Sequence, residues 1–290
     1  MPHGLDHVVH AVRDLDAAAD FYVRAGFLVS GRNRHPWGTH NRIVQLKNCY
    51  IEILEVAEPE KIVPHGARFF SFGAFNRDFL ARREGLSMLL LNSRDASADA
   101  RAFEATGIGG FDVFDFAREG KRPDGTVVKL AFSLAFALDP HSPDAGFAAC
   151  QHHFPENFWN AALQVHANGA NKISGVTLVA SDPARHRDFL EAYTGCQHQS
   201  DAAGVVAQTQ NGDIGIMQPD AYCHLCGVSL EAAGEGMTLD AMRFEVTSIA
   251  QTEALLVQNG LAPQRHGERL IVPPDATHGA TLIFEAAKVG

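Results

Sequence analysis

Histidine is the residue that stands out. The chain carries 15 histidines against four tyrosines and two tryptophans, and neutral imidazole is the commonest metal ligand. His7 and His10 sit in an apolar N-terminal stretch, and His152 and His153 end a second one, residues 147–154. Glu52 interrupts the apolar run from Tyr50 to Leu54. A carboxylate there is costly if it faces inward unpaired, and costs nothing on an outward strand face. Cys223-His224-Leu225-Cys226 is a lone C-x-x-C. Structural zinc wants four ligands, and nothing in the spacing of Cys196 or His198 completes the set. A thioredoxin-like reading fails for want of the surrounding βαβ context. Phe69, Phe70, Phe72, Phe75 and Phe79 read as a helix or loop packed over a sheet, or as an apolar cavity wall.

Those residues must be positioned by elements, and the elements repeat. Residues 5–12 read as a strand, Asp14 as a helix cap, Phe21 and Tyr22 as helix interior and Gly26 as the stop. The pattern recurs 168 positions later: Asp14, Asp20 and Phe21 match Asp182, Asp188 and Phe189. Gln45 and Asn48 match Gln208 and Asn211 at a spacing of 163. A fainter copy at 81 aligns Asp14, Tyr22 and Gly26 with Asp95, Phe103 and Gly107, and one at 234 aligns Asp14 and Gly26 with Ser248 and Gly260. Short strands follow each helix, separated by turns such as Pro123-Asp124-Gly125 and Asn211-Gly212. The unit is βαβββ, four times over. So small a curled sheet cannot bury both faces alone, so the modules must pair into half-barrels. The expected class is α+β, as two paired domains over residues 1–165 and 166–290, with a polar join between Asn160 and Lys172.

Composition sets limits. The 290 residues have a net charge of −10, 46% hydrophobic and 20% charged residues, as in an ordinary globular protein. An acidic chain without a basic block is a poor nucleic-acid binder. No apolar run is long enough to span a membrane, and no signal peptide is visible. Five cysteines in so long a chain argue against a disulfide scaffold. A cytoplasmic protein is expected, with a small-molecule substrate and at most a second copy of itself as partner.

The residues carry a family likeness. Leu5-Asp6-His7-Val8-Val9, Asp14-Leu15 and Phe21-Tyr22 resemble the opening strand and helix of the vicinal oxygen chelate superfamily, which includes glyoxalase I, extradiol dioxygenases and bleomycin resistance proteins. His35-Pro36-Trp37-Gly38-Thr39-His40-Asn41 with Tyr50-Ile51-Glu52-Ile53 resembles its glyoxalase-like branch. So do Arg122-Pro123-Asp124-Gly125 and the stretch from Cys150-Gln151-His152 to Trp159. The likeness is strong over residues 4–170 and weak beyond.

The resemblance implies a divalent metal in the first half-barrel. His7 matches its first-strand ligand and Glu52 its last-strand carboxylate. In the second module the first-strand position falls on Met88, a poor ligand for a hard metal. The last strand offers Gln151, His152 or His153, and His152, which shares a face with Cys150, is favoured. Modules three and four put Gly175, Gly215, Ala241 and Ile283 or Glu285 at the matching positions, so the C-terminal pair is expected to be a scaffold or lid. Two imidazoles and a carboxylate would leave open positions for a substrate with adjacent oxygens, and Glu52 would ligate or act as general base. Zn, Mn, Ni or Co suits lyase or isomerase chemistry, and Fe suits a ring-cleaving dioxygenase. A non-enzymatic binder or resistance protein is the third reading. Arg42 and Arg122 are candidate anion clamps, and His40, with His35, flanks a turn at the expected cavity mouth.

Overall fold

The computed structural model describes residues 2–121, 125–230, 234 and 236–287. The four modules follow one another in order. The first is β1 (Leu5–Ala11), α1 (Leu15–Arg24), β2 (Asn33–Arg34), β3 (Thr39–Gln45) and β4 (Tyr50–Val56), and α2 (Phe72–Leu80) leads out of it. The second is β5 (Gly85–Ser93), α3 (Ala96–Ala105), β6 (Phe114–Lys121), β7 (Val127–Ala137) and β8 (Gly146–His152), followed by the short α4 (Pro155–Phe158). The third is β9 (Ala170–Val179), α5 (Arg187–Thr194), β10 (His198–Ser200), β11 (Gly204–Gln208) and β12 (Asp213–Met217), with α6 (Pro219–Cys226) after it. The fourth is β13 (Thr238–Val246), α7 (Ile249–Gln258), β14 (Gln264–His266), β15 (Arg269–Val272) and β16 (Thr281–Ala286).

Local chemistry starts and stops the helices where the repeat placed them. Asp14 accepts hydrogen bonds from the amides of Asp16 and Ala17, Asp95 from Ala98 and Ser248 from Gln251, while Asp182 accepts from Ala184 and caps a 3-10 turn, Pro183–His186, that leads into α5. Each satisfies an orphan donor of a first turn. Gly26, at φ +84°, takes the left-handed conformation that ends α1.

Within each pair the first strands of the two modules lie antiparallel, β1 on β5 and β9 on β13, and each is flanked by its own module's last strand in parallel. The central strand order is β12-β9-β13-β5-β1-β4. Strand alternation then sorts the side chains. Val8, Ile51, Ile53, Leu89 and Ala149 join a core shared with the helices of both halves. Val9, Tyr50, Leu54, Met88, Leu90, Ala148 and Cys150 face into the first half-barrel, where Phe70, Phe72 and Phe75 of the phenylalanine stripe close over them. Cys226 is buried with Tyr222 and Ile283 in the second half-barrel, and its thiol bonds the Tyr222 carbonyl.

The halves are tied by a reciprocal pair of amides. Asn48 accepts from Ile173 N at 3.2 Å and donates to Ile173 O at 2.9 Å and Asn211 O at 2.7 Å. Asn211 accepts from Leu5 N at 2.6 Å and donates to Leu5 O and Asn48 O, both at 3.0 Å. The β3–β4 turn of module one thus pins β9, and the matching turn of module three pins β1. Replacing either asparagine with alanine orphans a backbone donor and acceptor. Urea denaturation should show a loss of about 1–3 kcal/mol for each variant, and an unchanged midpoint would refute the assignment.

The second half-barrel has a different interior. Arg243 pairs with Asp213, and its other nitrogen lies 3.7 Å from Glu285. Arg269 approaches Glu285 at 3.4 Å, and Ser174 donates to it at 2.6 Å. A side chain at Gly175 would collide with the Arg243 guanidinium. Gly175 is the counterpart of His7, so the guanidinium fills the place that the imidazole ring takes in the first half. Among the described residues no helix is long and apolar enough to cross a membrane.

Candidate metal and ligand site

His7 lies on the inner face of β1, stacked on Tyr50 with ring centroids 4.3 Å apart. Its register partner on β4 is Tyr50, and Glu52, two residues on, shares the inner face. A β-bulge puts Asp6 there too. Leu5 pairs with Leu91 and His7 with Leu90, so Asp6 is the extra residue, and a bulge re-aims a side chain that alternation would send outward.

Asp6 is an acceptor for three donors. His7 Nδ1 lies 2.6 Å from Oδ2 and His152 Nε2 3.0 Å from Oδ1, and the Cys150 thiol bonds the same carboxylate. Burial alone would raise the Asp6 pKa, but the two imidazoles outweigh it and hold the carboxyl well below the usual range. Burial first, and then Asp6, push the Cys150 thiol well above its ordinary value.

With Nδ1 committed to Asp6, His7 Nε2 faces the cavity. Glu52 Oε2 stands opposite it at 3.7 Å, while Oε1 takes a hydrogen bond from Asn41 Nδ2 at 2.5 Å. Both side chains are buried. Two lone-pair atoms facing each other in a buried site need a cation or a proton between them. Their spacing is what two donors, each ~2.1 Å from a common ion, span at an angle between tetrahedral and linear. The carboxylate behind the histidine is the usual orienting partner of a metal ligand. His7 and Glu52 therefore fit a divalent cation.

Asp6, His7 and Cys150 also bring ligand atoms within 4.8 Å of one another, the one such group among the described residues. We read it as a hydrogen-bonded cluster, because the thiol is held protonated and Asp6 is saturated with donors. His152 faces inward as expected of the Cys150 face, whereas Gln151 accepts from Ala96 N and His153 bonds Ser133 on the other side. Its Nε2 is spent on Asp6, so it does not converge with Glu52 on the Nε2 side of His7. Its Nδ1 is buried without a partner.

The cavity beside His7 and Glu52 measures ≈ 40 Å³ and is walled by Trp37, Tyr50, Phe72, Phe116, Phe132, Leu134 and Phe158, with His35, Asn41 and Arg118 as polar members. His35 stacks on Trp37 at 4.6 Å and bonds Thr39 Oγ1. Burial pushes its pKa down to about 4, so it is neutral at pH 7. His10 points into the helix-side core, between the Tyr22 hydroxyl and the His278 carbonyl.

The other expected contacts lie elsewhere. Asn41 and Ile43 face the cavity, so alternation turns His40 and Arg42 outward on β3. His40 sits between Glu58 and Arg32, and Arg42 pairs with Asp16 at 2.8 Å. Arg122, with Pro123 and Asp124, lies outside the described residues. The arginine that lines the cavity is Arg118, and a signal for it existed. Phe114, Phe116 and Arg118 alternate along β6, so an arginine shares the face of two inward aromatics. Asp6 carried no such signal, because nothing in the letters announces a bulge.

The fold and the chain have relatives. A family model described as a glyoxalase-like domain matches residues 5–194. No curated protein matches the chain. A hypothetical protein from Staphylococcus aureus superposes with a TM-score of 0.67 at 14% identity, covering 99% of this chain and 100% of its own. A mutant form of 4-hydroxymandelate synthase from Streptomyces coelicolor gives 0.60 at 11% identity, over 100% of this chain and 95% of that one. A xylose isomerase-like TIM barrel/4-hydroxyphenylpyruvate dioxygenase fusion protein gives 0.54 at 14% identity, over 100% of this chain and 50% of that one. At such identities the structural likenesses speak for the fold, and with the family match they lead to one conclusion: the chain belongs to the glyoxalase-like domain family of the vicinal oxygen chelate superfamily.

Proposed function

We propose that the protein is a divalent-metal-dependent lyase or isomerase, acting on a small substrate with vicinal oxygens in the first half-barrel. The observation that carries this reading is the His7 Nε2 to Glu52 Oε2 pair, 3.7 Å apart at the wall of a buried aromatic cavity and backed by Asp6. A bound divalent ion would supply Lewis acidity for an oxyanion developing on the substrate. His7, fixed in one tautomer by Asp6, would hold it, together with Glu52. Asn41 holds Glu52 by one oxygen and leaves the other directed at His7. The aromatic walls exclude water, which strengthens every charge interaction inside. Burial keeps the Tyr50 hydroxyl protonated, so Tyr50 can donate a hydrogen bond but not serve as a base at neutral pH.

A facial-triad dioxygenase needs a second imidazole beside the carboxylate. His152 is engaged by Asp6 instead, which favours the lyase or isomerase reading, although the named neighbours include a dioxygenase fusion.

Metal analysis tests the proposal. The purified protein, or protein reconstituted with Mn²⁺ or Zn²⁺, should hold one ion per chain, and Glu52→Gln should hold markedly less. Absence of stoichiometric metal, with ligand binding indifferent to Glu52→Gln, would favour a non-enzymatic binder and sink the metal reading.

A further inference from the structure

Arg118 stands at a neck. Its side chain lines the inner cavity and also a wide outer cleft of ≈ 880 Å³, which shares Ile43 and Phe158 with it. The neighbouring arginines are paired, Arg32 with Asp16 and Glu55 and Arg42 with Asp16. Arg118 forms no ion pair among the described residues, and its hydrogen bond is one 3.5 Å contact from Nη1 to the Glu119 carbonyl. Glu52 acts on it through its charge without reaching it, since one Glu52 oxygen is on Asn41 and the other faces His7. Burial weakens the proton affinity of the guanidinium, and the charges around it offset that only in part. A second donor on the same wall is unused: Trp37 Nε1 is buried and has no partner.

The complement of such a wall is specific. A guanidinium with a free fork matches a carboxylate in bidentate geometry. The rings of Trp37, Phe72, Phe116, Phe132 and Phe158 match a flat apolar body. The inner ≈ 40 Å³ admits about three waters, or on the order of 90 Å³ of liquid volume, roughly one six-membered ring. Anything longer has to pass the neck into the outer cleft.

We propose that Arg118 is the carboxylate-recognising residue of this cavity, and that the substrate is a small planar carboxylic acid. Its carboxylate sits on Arg118 at the neck, and its apolar part lies inside, among the rings. The inference names the substrate class for the cavity assigned above and rests on that reading of it as the reaction chamber. Carboxylate recognition itself calls on no metal.

Benzoate and its neutral isostere benzamide are the probes, titrated calorimetrically into the full chain with chelator present and again with Mn²⁺. Wild type should prefer benzoate by about 10–100-fold, the scale of a charged hydrogen-bonded contact. Arg118→Gln should lose that preference, and Arg118→Lys should keep part of it. Removing an unpaired, half-buried charge should also leave the ligand-free Arg118→Gln protein melting at or above wild type. A structural role would instead lower the melting temperature. Absence of benzoate binding, equal affinity for the two probes in wild type, or an undiminished preference in Arg118→Gln would each overturn the proposal. Wild type alone decides the first two, whether or not a variant folds. No preference in wild type while Mn²⁺ still binds condemns this inference, whereas an intact wild-type preference without metal binding condemns the metal reading.

Discussion

Asp6→Asn is expected to weaken divalent-metal binding by about 10–100-fold, although Asp6 is read here as an orienting residue and not a ligand. The carboxylate fixes the proton of His7 on Nδ1, which leaves Nε2 free toward Glu52. An asparagine accepts through one oxygen only and turns an amide N–H toward imidazole donors. His7→Ala removes the nitrogen itself and should cost more than the upper end of that range. The same Asp6→Asn change strips the shared acceptor from His7, His152 and Cys150, all buried. Breaking a buried charged cluster costs about 3–5 kcal/mol, so urea denaturation should show a large loss without any metal present. Titration with Mn²⁺ separates the two effects. If Asp6→Asn binds Mn²⁺ as tightly as wild type, the orienting role is wrong.

The second large effect concerns pH and resides in two histidines that bind no metal in this reading. Burial lowers His10 and His35 from an ordinary value of 6.5 to about 4. A base whose folded pKa is depressed is protonated first in the unfolded chain. Between pH 6.5 and 4 the unfolded state therefore binds more protons, and stability falls as pH falls. Above pH 6.5 the contribution is complete, and below 4 these groups remove no more. At 1.36 kcal/mol per pKa unit the loss is on the order of 3 kcal/mol for each histidine. Chemical denaturation at pH 7, 6, 5 and 4 should trace it. His10→Gln should be less stable than wild type at pH 7 and show a shallower slope. A flat stability profile over that interval would contradict the neutral, buried assignment. Burial is what resists charging, and it outweighs the opposing pull of the His278 carbonyl; neutral His10 donates from Nε2 to that carbonyl and accepts from the Tyr22 hydroxyl at Nδ1.

Much of the architecture was legible because it is periodic. Offsets of 168 and 81 align helix caps, and 81 also a helix stop, and caps act locally, so a letter at the right spacing is enough. Glu52 was legible for a related reason: a carboxylate amid apolar neighbours on a strand is costly unless it has a purpose. The rest of the site depended on choices that alternation leaves open. Which face of β8 looks inward is set by pairing with β5 and β7, so His152 could be singled out but its partner could not. His40 and Arg42 flank the cavity-facing Asn41 by one residue on either side, and that single step sends both to surface acids. Arg118 was readable from the alternation of β6, yet the motif that stood out there begins four residues later, at Arg122. The bulge at Asp6 is a property of how β1 meets β5, and no periodicity records it.

The guanidinium in the second half-barrel has a further consequence. Arg243 is a cation attached to the chain, so it cannot exchange with solvent, be stripped by a chelator or be outcompeted by another ion. Its occupancy is one at every concentration. The half that carries it therefore holds its cation in every solution. In the metal reading proposed above, the first half-barrel would instead take its cation from solution, through His7 and Glu52. On that reading, a response to available ions would run through the first half-barrel, where no tethered cation takes the place beside Glu52.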